Sequence, residues 1–205
     1  MTNTYTPVTA FNAWNAYKLT KGIFPHDAAG VGRSFIASLM PKAFLPFASK
    51  LFSGVKLKSL DYFVAIDGNG KAVGVTGLYC VGGRNEAWVG WYGVAPSERG
   101  QGYGKELLDW TIRTATQRGF DTLRLWTSTG DDHAHANVLY AGRGFVKQEL
   151  AGADPSHPNA RFVLYGMSLR GQPTESFKGD LREALLGAAA RDIENERKRL
   201  SRNLT

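Results

Sequence analysis

Between positions 99 and 105 the chain reads Arg-Gly-Gln-Gly-Tyr-Gly-Lys, two cations bracketing three glycines at alternate positions. Glycine has no Cβ, so a ligand can come into contact with the backbone there. The cations supply charge-assisted donors for an anion. The stretch follows an apolar, aromatic run (residues 87–94) and opens an amphipathic one (residues 103–118). A strand, a glycine turn and a helix start, in that order, aim unpaired N–H groups and the positive end of the helix dipole at one spot. The chemistry on offer is the holding of a pyrophosphate.

Two common pyrophosphate loops are excluded by spacing. A dinucleotide fingerprint counted from Gly100 and Gly102 needs its third glycine where Lys105 stands. A P-loop ending at Gly104-Lys105 needs glycine at Arg99 and a hydroxyl residue at Glu106. What fits is Arg/Gln-x-x-Gly-x-Gly/Ala, here Arg99-Gly100-Gln101-Gly102-Tyr103-Gly104. A second block, residues 133–145, reads His-Ala-His-Ala-Asn-Val-Leu-Tyr-Ala-Gly-Arg-Gly-Phe. Together these blocks resemble the GCN5-related N-acetyltransferases, whose second motif runs Asn-x-x-Ala-x-x-Leu/Phe-Tyr-x-x-x-Gly-Phe. Ala136, Leu139, Tyr140, Gly144 and Phe145 match it, while His133 stands where the family often has asparagine.

The resemblance implies acetyl-CoA as acyl donor and a primary amine as acceptor, with direct attack in a ternary complex. Coenzyme pyrophosphate would rest on Arg99, Gly100, Gln101, Gly102, Tyr103, Gly104 and Lys105. The pantetheine arm would lie beside Val94, Ala95 and Pro96, with the thioester carbonyl near the Val94 N–H. Acyl transfer to an amine needs a deprotonated amine, a stabilised oxyanion and a protonated leaving thiolate. Tyr140 is the candidate acid; its other reading is a core tyrosine. His133, Asn137 and Tyr140, spaced i, i+4, i+7, share one helix face that would line the coenzyme groove. For the base, the family's glutamate position is occupied by Trp88. Glu86, two residues earlier on the same strand face, is the candidate. A surface charge at Glu86, with water as base, is the alternative. His133 and His135 beside Asp131 and Asp132 do not make a metal site, because residues two apart on a helix diverge. An aspartate as helix N-cap is the simpler account, and no metal is expected.

These side chains need elements to hold them. Residues 6–20 and 28–53 read mainly as helix, the second broken near Pro41 and Pro46. Strands are expected at 62–66 and 72–80, joined by the hairpin signal Asp67-Gly68-Asn69-Gly70. A third is expected at 86–94, with Gly93 as the easiest place for a bulge. The helix 103–118 ends at Gly119. Strands follow at 122–127, 145–149 and 161–169. This order predicts an α/β (α+β) fold, a mixed, mostly antiparallel sheet flanked by helices with at least one strand–helix–strand crossover. Gly171-Gln172-Pro173 divides residues 1–171, the acyltransferase domain, from a C-terminal helical extension, 172–205. Its charged helix 181–200 would pack on the domain or on a second subunit, making a homodimer.

Composition bounds the rest. The 205 residues allow one domain and an appendage. Cys80, the lone cysteine, rules out an internal disulfide and suits a reducing compartment, hence the cytoplasm. It reads as a buried strand thiol. No signal peptide is legible at the N-terminus. Prolines and lysines interrupt the apolar stretch 34–55, so no membrane span is expected. Residues 1–60 hold seven Lys/Arg against Asp27 alone, a basic third that suits coenzyme entry, an acidic partner or RNA, or simply a solvated surface. The amine acceptor is therefore open, with aminoacyl-tRNA or a protein N-terminus as alternatives. A coenzyme A-binding module without catalysis is the reading from another class.

Overall fold

A computed structural model describes residues 3–53, 55–153 and 160–181. It contains strands β1 (Thr4–Pro7), β2 (Leu57–Ile66), β3 (Ala72–Val81), β4 (Glu86–Val89), β5 (Gly93–Val94), β6 (Thr122–Ser128), β7 (Val146–Ala153) and β8 (Arg161–Ser168). The helices are α1 (Ala13–Ile23), α2 (Ala28–Ser38), α3 (Leu45–Ser53), α4 (Tyr103–Gln117) and α5 (Ala134–Ala141). The strands form one sheet in the order β1-β2-β3-β4-β6-β8-β7, with β5 also on β3. Every pair is antiparallel except β4–β6. The expected mixed, mostly antiparallel sheet with flanking helices is found.

Side-chain alternation sorts the sheet into two faces. Trp88, Tyr79, Tyr62 and Leu164 join Ala16 and Ile23 of α1, Val31 and Phe35 of α2 and Leu45 of α3 in one core cluster. Ala87, Val89, Leu125 and Val163 join Leu108 and Ala115 of α4 and Tyr140 of α5 in another. The hydroxyls of Thr76 on β3 and Thr111 on α4 satisfy one another at 2.9 Å beneath α4.

The structure moves several expected boundaries. Residues 4–7 are a strand, not the start of a helix. Tyr5 stacks on Trp110 with centroids 4.3 Å apart, and Asn3 donates twice to the Glu106 carboxylate at 2.9 Å. Partners 103 residues away override local propensity. Pro46 starts α3 rather than breaking it, since the first turn needs no proline N–H. Strand β2 begins at Leu57, five residues early, because Leu57 and Leu60 fill the core cluster beneath α3. Asp131 to His133 form a short 3₁₀ turn and His133 precedes α5, so neither aspartate caps that helix.

The expected strand 86–94 is two strands. Gly90 N–H donates to Gly77 O at 2.8 Å, and Gly93 pairs with Val75. Three steps on one chain thus match two on the other, a bulge across residues 91–92. Gly93 itself serves close approach: a Cβ there would lie 2.6 Å from Ile23 Cγ2 of α1. The chain after Gly171-Gln172-Pro173 does not leave the domain at once. Phe177 N–H donates to Gln148 Oε1 at 2.7 Å and Arg124 Nη2 to Glu175 O at 3.0 Å. Beyond Leu181, the expected C-terminal helix lies outside the described residues. Among the described residues, no helix is long and apolar enough to cross a membrane.

Candidate active site

Strands β4 and β6 run side by side only from Glu86–Trp88 against Thr122–Arg124. Past Trp88 the β4 chain swings into the 91–92 bulge, so β4 and β6 part. The site collects at that open end.

Strand β5 supplies the first group. Ala95 N–H donates to Val73 O at 2.8 Å, and Gly93 pairs with Val75. In an antiparallel ladder alternate residues point their N–H groups at the neighbour. Val94, between those two, therefore turns its N–H away from β3. Residues 96–98 then make a 3₁₀ turn, and the glycine loop leads into α4. Gly100 and Gly102 have φ of +81° and +86°, which L side chains rarely adopt. Gly104 has no such φ. A Cβ there would meet only ordinary contacts, the nearest being the Tyr92 hydroxyl at 3.7 Å. The first intrahelical bond of α4 runs from Glu106 N–H to Gly102 O. The N–H groups of Tyr103, Gly104 and Lys105 are thus left at the helix mouth. Arg99, Gln101 and Lys105 are exposed beside it.

Three features that hold this loop were not legible in the sequence. The Glu98 carboxylate, little exposed, accepts from Lys71 Nζ, from Ser97 Oγ at 2.9 Å and from Gln101 Nε2 at 3.4 Å. The Lys71 and Ser97 hydrogen bonds keep that carboxyl below its ordinary range. Tyr92 O–H donates to Gly104 O at 2.6 Å, pinning the first turn of α4 to the bulge. Arg99 Nε donates to Val94 O at 3.4 Å. No local pattern links Lys71 to Glu98, 27 positions apart.

Helix α5 closes the other side. Asn137 Nδ2 donates to Ser128 O at 2.9 Å and to His133 O at 3.0 Å, tying α5 to the end of β6. Its Oδ1 is buried with no partner. Tyr140 is buried, its ring within 5.5–6.1 Å of the rings of Tyr92, Phe145 and Tyr165. Burial pushes its phenol well above the ordinary tyrosine range, with Tyr165 adding to the shift. Tyr92 links the two sides, its ring packed near Tyr140 and its hydroxyl bonded to Gly104 O, and a Cβ at Gly104 would lie within 4 Å of Val94 and of Leu139 on α5.

Glu86 is not brought there. It stands at the closed end of the β4–β6 pair, where Oε1 accepts from Arg124 Nη2 at 3.1 Å. The Arg124 side chain is 4% exposed and lies over the Phe177 ring. The expected base is thus held in an ion pair with a buried guanidinium. Trp88 is buried against Phe177, ring centroids 5.2 Å apart. Among the described residues no group of acidic, histidine or cysteine side chains is arranged for a metal. Cys80 is buried on β3, and burial pushes its thiol up.

Residues 35–145 match the model of the acetyltransferase (GNAT) family. Comparison of the sequence with curated proteins finds no match. Among solved structures, the chain is similar to the ribosomal-protein-S18-alanine N-acetyltransferase of Escherichia coli. Identity there is 19% and the TM-score 0.55, with 85% of this chain and 99% of the other covered. It is similar to a spermidine N-acetyltransferase of Vibrio cholerae in complex with CoA and spermine, at 12% identity, TM-score 0.59, and 82% and 95% coverage. An acetyltransferase of the GNAT family from Staphylococcus aureus aligns at 19% identity, TM-score 0.54, and 82% and 99% coverage. At such identities these three likenesses speak for the fold.

Proposed function

This chain belongs to the acetyltransferase (GNAT) family, and from that premise we propose that it moves the acetyl group of acetyl-CoA onto a primary amine within a ternary complex. The observation that carries this reading is the open end of the β4–β6 pair. There the Val94 N–H is turned from β3, and the start of α4, whose first N–H groups have no helical partner, comes within 4 Å of Val94 at Gly104.

In this reading the pyrophosphate rests on the N–H groups at the start of α4, with Arg99 and Lys105 beside it. The Val94 N–H donates to the thioester oxygen and strengthens that bond as charge develops. The amine nitrogen attacks the carbonyl carbon, the C–N bond forms and the C–S bond breaks. Tyr140 gives its phenolic proton to the departing sulfur. A buried phenol is a weak acid in water, but the same desolvation raises the proton affinity of a thiolate in that cavity. Since Glu86 is held by Arg124, the ammonium proton leaves to water. His133 and Asn137 line the coenzyme side.

Titration calorimetry with acetyl-CoA, followed by thiol-release assays over an amine panel, tests the proposal. Spermidine and an alanine-ended peptide belong in the panel because two structural relatives act on spermidine and on the S18 alanine. Saturable binding with amine-dependent thiol release is the expected result. Binding without release across the panel would leave a coenzyme-binding module, and no binding at all would remove the reading.

A further inference from the structure

Helices α1, α2 and α3 send their inward side chains into one core cluster on one face of the sheet. Their outward side chains therefore face a common solvent side. That outer surface is apolar and basic together. Trp14, Ile36 and Phe47 are exposed on the helices, Phe47 to 74%, and Phe11, Leu39 and Phe44 are exposed in the turns at their ends, Phe11 wholly. They are six of the eight exposed large apolar side chains among the described residues, so the exposure is concentrated and not scattered. Lys18, Lys21, Arg33, Lys42 and Lys50 are exposed among them. On α1 the spacing of Trp14, Lys18 and Lys21 makes one outward stripe. Lys18 Nζ lies 5.9 Å over the Trp14 ring.

We propose that this outer face of the α1–α3 layer docks on an anionic lipid bilayer. The rings enter the boundary between headgroups and acyl chains, and the ammonium groups meet lipid phosphates. Charge selects this occupant. A second copy of the chain would bring an equally basic face against the first. Residues 182–205 hold six basic against four acidic side chains and offer no charge complement either. A single nucleic-acid strand would match the cations and rings, but it gives Ile36 and Leu39 nothing to bury in, since its recognition relies on stacking. A bilayer satisfies cations, rings and aliphatic side chains at once. This docking stands apart from acetyl transfer and does not depend on it.

The test is sedimentation of the full chain with vesicles of phosphatidylcholine alone and of phosphatidylcholine with about one-third phosphatidylglycerol. Binding to the anionic vesicles only, weakened by salt, is expected. Phe44→Ser with Phe47→Ser should reduce that binding about tenfold or more, because both lost side chains are apolar anchors. Lys18→Glu with Lys42→Glu should do the same by charge. All four positions are exposed, so melting temperatures should hold. Failure to sediment with anionic vesicles overturns the proposal. So does binding indifferent to the phenylalanine pair. Light scattering that shows a dimer dissolved by the phenylalanine pair, or tighter binding of single-stranded RNA to the same face, would assign the surface to that partner and overturn it equally.

Discussion

The two ends of the β4–β6 pair are made from the same strands and have opposite characters. At the Glu86 end, side-chain polar groups mostly pair with one another: Glu86 takes the Arg124 guanidinium, the Glu175 carbonyl takes the same nitrogen, and Phe177 covers the pair, while Arg124 Nε is buried without a partner. At the Val94 end, backbone donors are left over: the Val94 N–H is turned from β3 and the N–H groups at the start of α4 have no helical partner. A carboxylate that pairs a buried guanidinium serves the fold, because its removal leaves that charge unpaired. A backbone donor left without a strand partner is available to a ligand. Position along a strand does not separate these roles; the partner does.

The largest expected effect is at the open end. Tyr140→Phe keeps the ring among Tyr92, Phe145 and Tyr165 and removes only the hydroxyl. Turnover should fall by about 100- to 10,000-fold if proton donation is lost, with acetyl-CoA affinity nearly unchanged by calorimetry. Full activity would return Tyr140 to a core role, and loss of binding together with turnover would give the hydroxyl to coenzyme binding instead.

Gly104→Asp sharpens the contrast next. The position carries no left-handed φ and a Cβ meets only ordinary contacts, so the melting temperature should barely move. A like charge at the pyrophosphate costs several kcal/mol, so acetyl-CoA affinity should drop about 100-fold or more. Gly102→Asp is the poorer probe, since φ of +86° adds backbone strain there.

At the closed end the expected effects reverse. Glu86→Ala leaves the nearly buried Arg124 without its carboxylate. That should cost about 2 kcal/mol, or about 4–8 °C in Tm. Turnover at a temperature where the variant is folded should change less than about twofold. A loss of about 100-fold or more would make Glu86 the base after all.

The smallest effect concerns pH. The Glu98 carboxyl is held low by Lys71 and Ser97, so its support of the loop is present above the ordinary carboxylate value and is lost as pH falls through the depressed one. Lys71 is raised by Glu98, so its half is lost only as pH rises through a value above that of ordinary lysine. Tyr140 stays protonated across the same window, because burial raises it. Acetyl-CoA affinity measured between about pH 5 and 10 should therefore show no step from this pair, and Glu98→Gln should weaken it only about threefold.

What the residue order determined by itself is the glycine turn and the helix that follows it. The glycine turn and the N–H groups at the start of α4 depend on neighbours within one or two turns, so spacing alone exposes them, whereas the expected helical stripe keeps Asn137 and Tyr140 on α5 and leaves His133 in the turn before it. Tertiary structure decided the rest. It placed the bulge at residues 91–92, which exists because β3 offers one residue fewer than the β4–β5 chain. It gave Glu86 to Arg124, 38 positions on, and joined Lys71 to Glu98, 27 positions away. It made a strand of residues 4–7, through Tyr5 on Trp110 and Asn3 on Glu106. Each of these depends on groups that meet only after the chain has folded back on itself. A local pattern reports what a residue can offer, and only the folded neighbourhood decides what takes the offer.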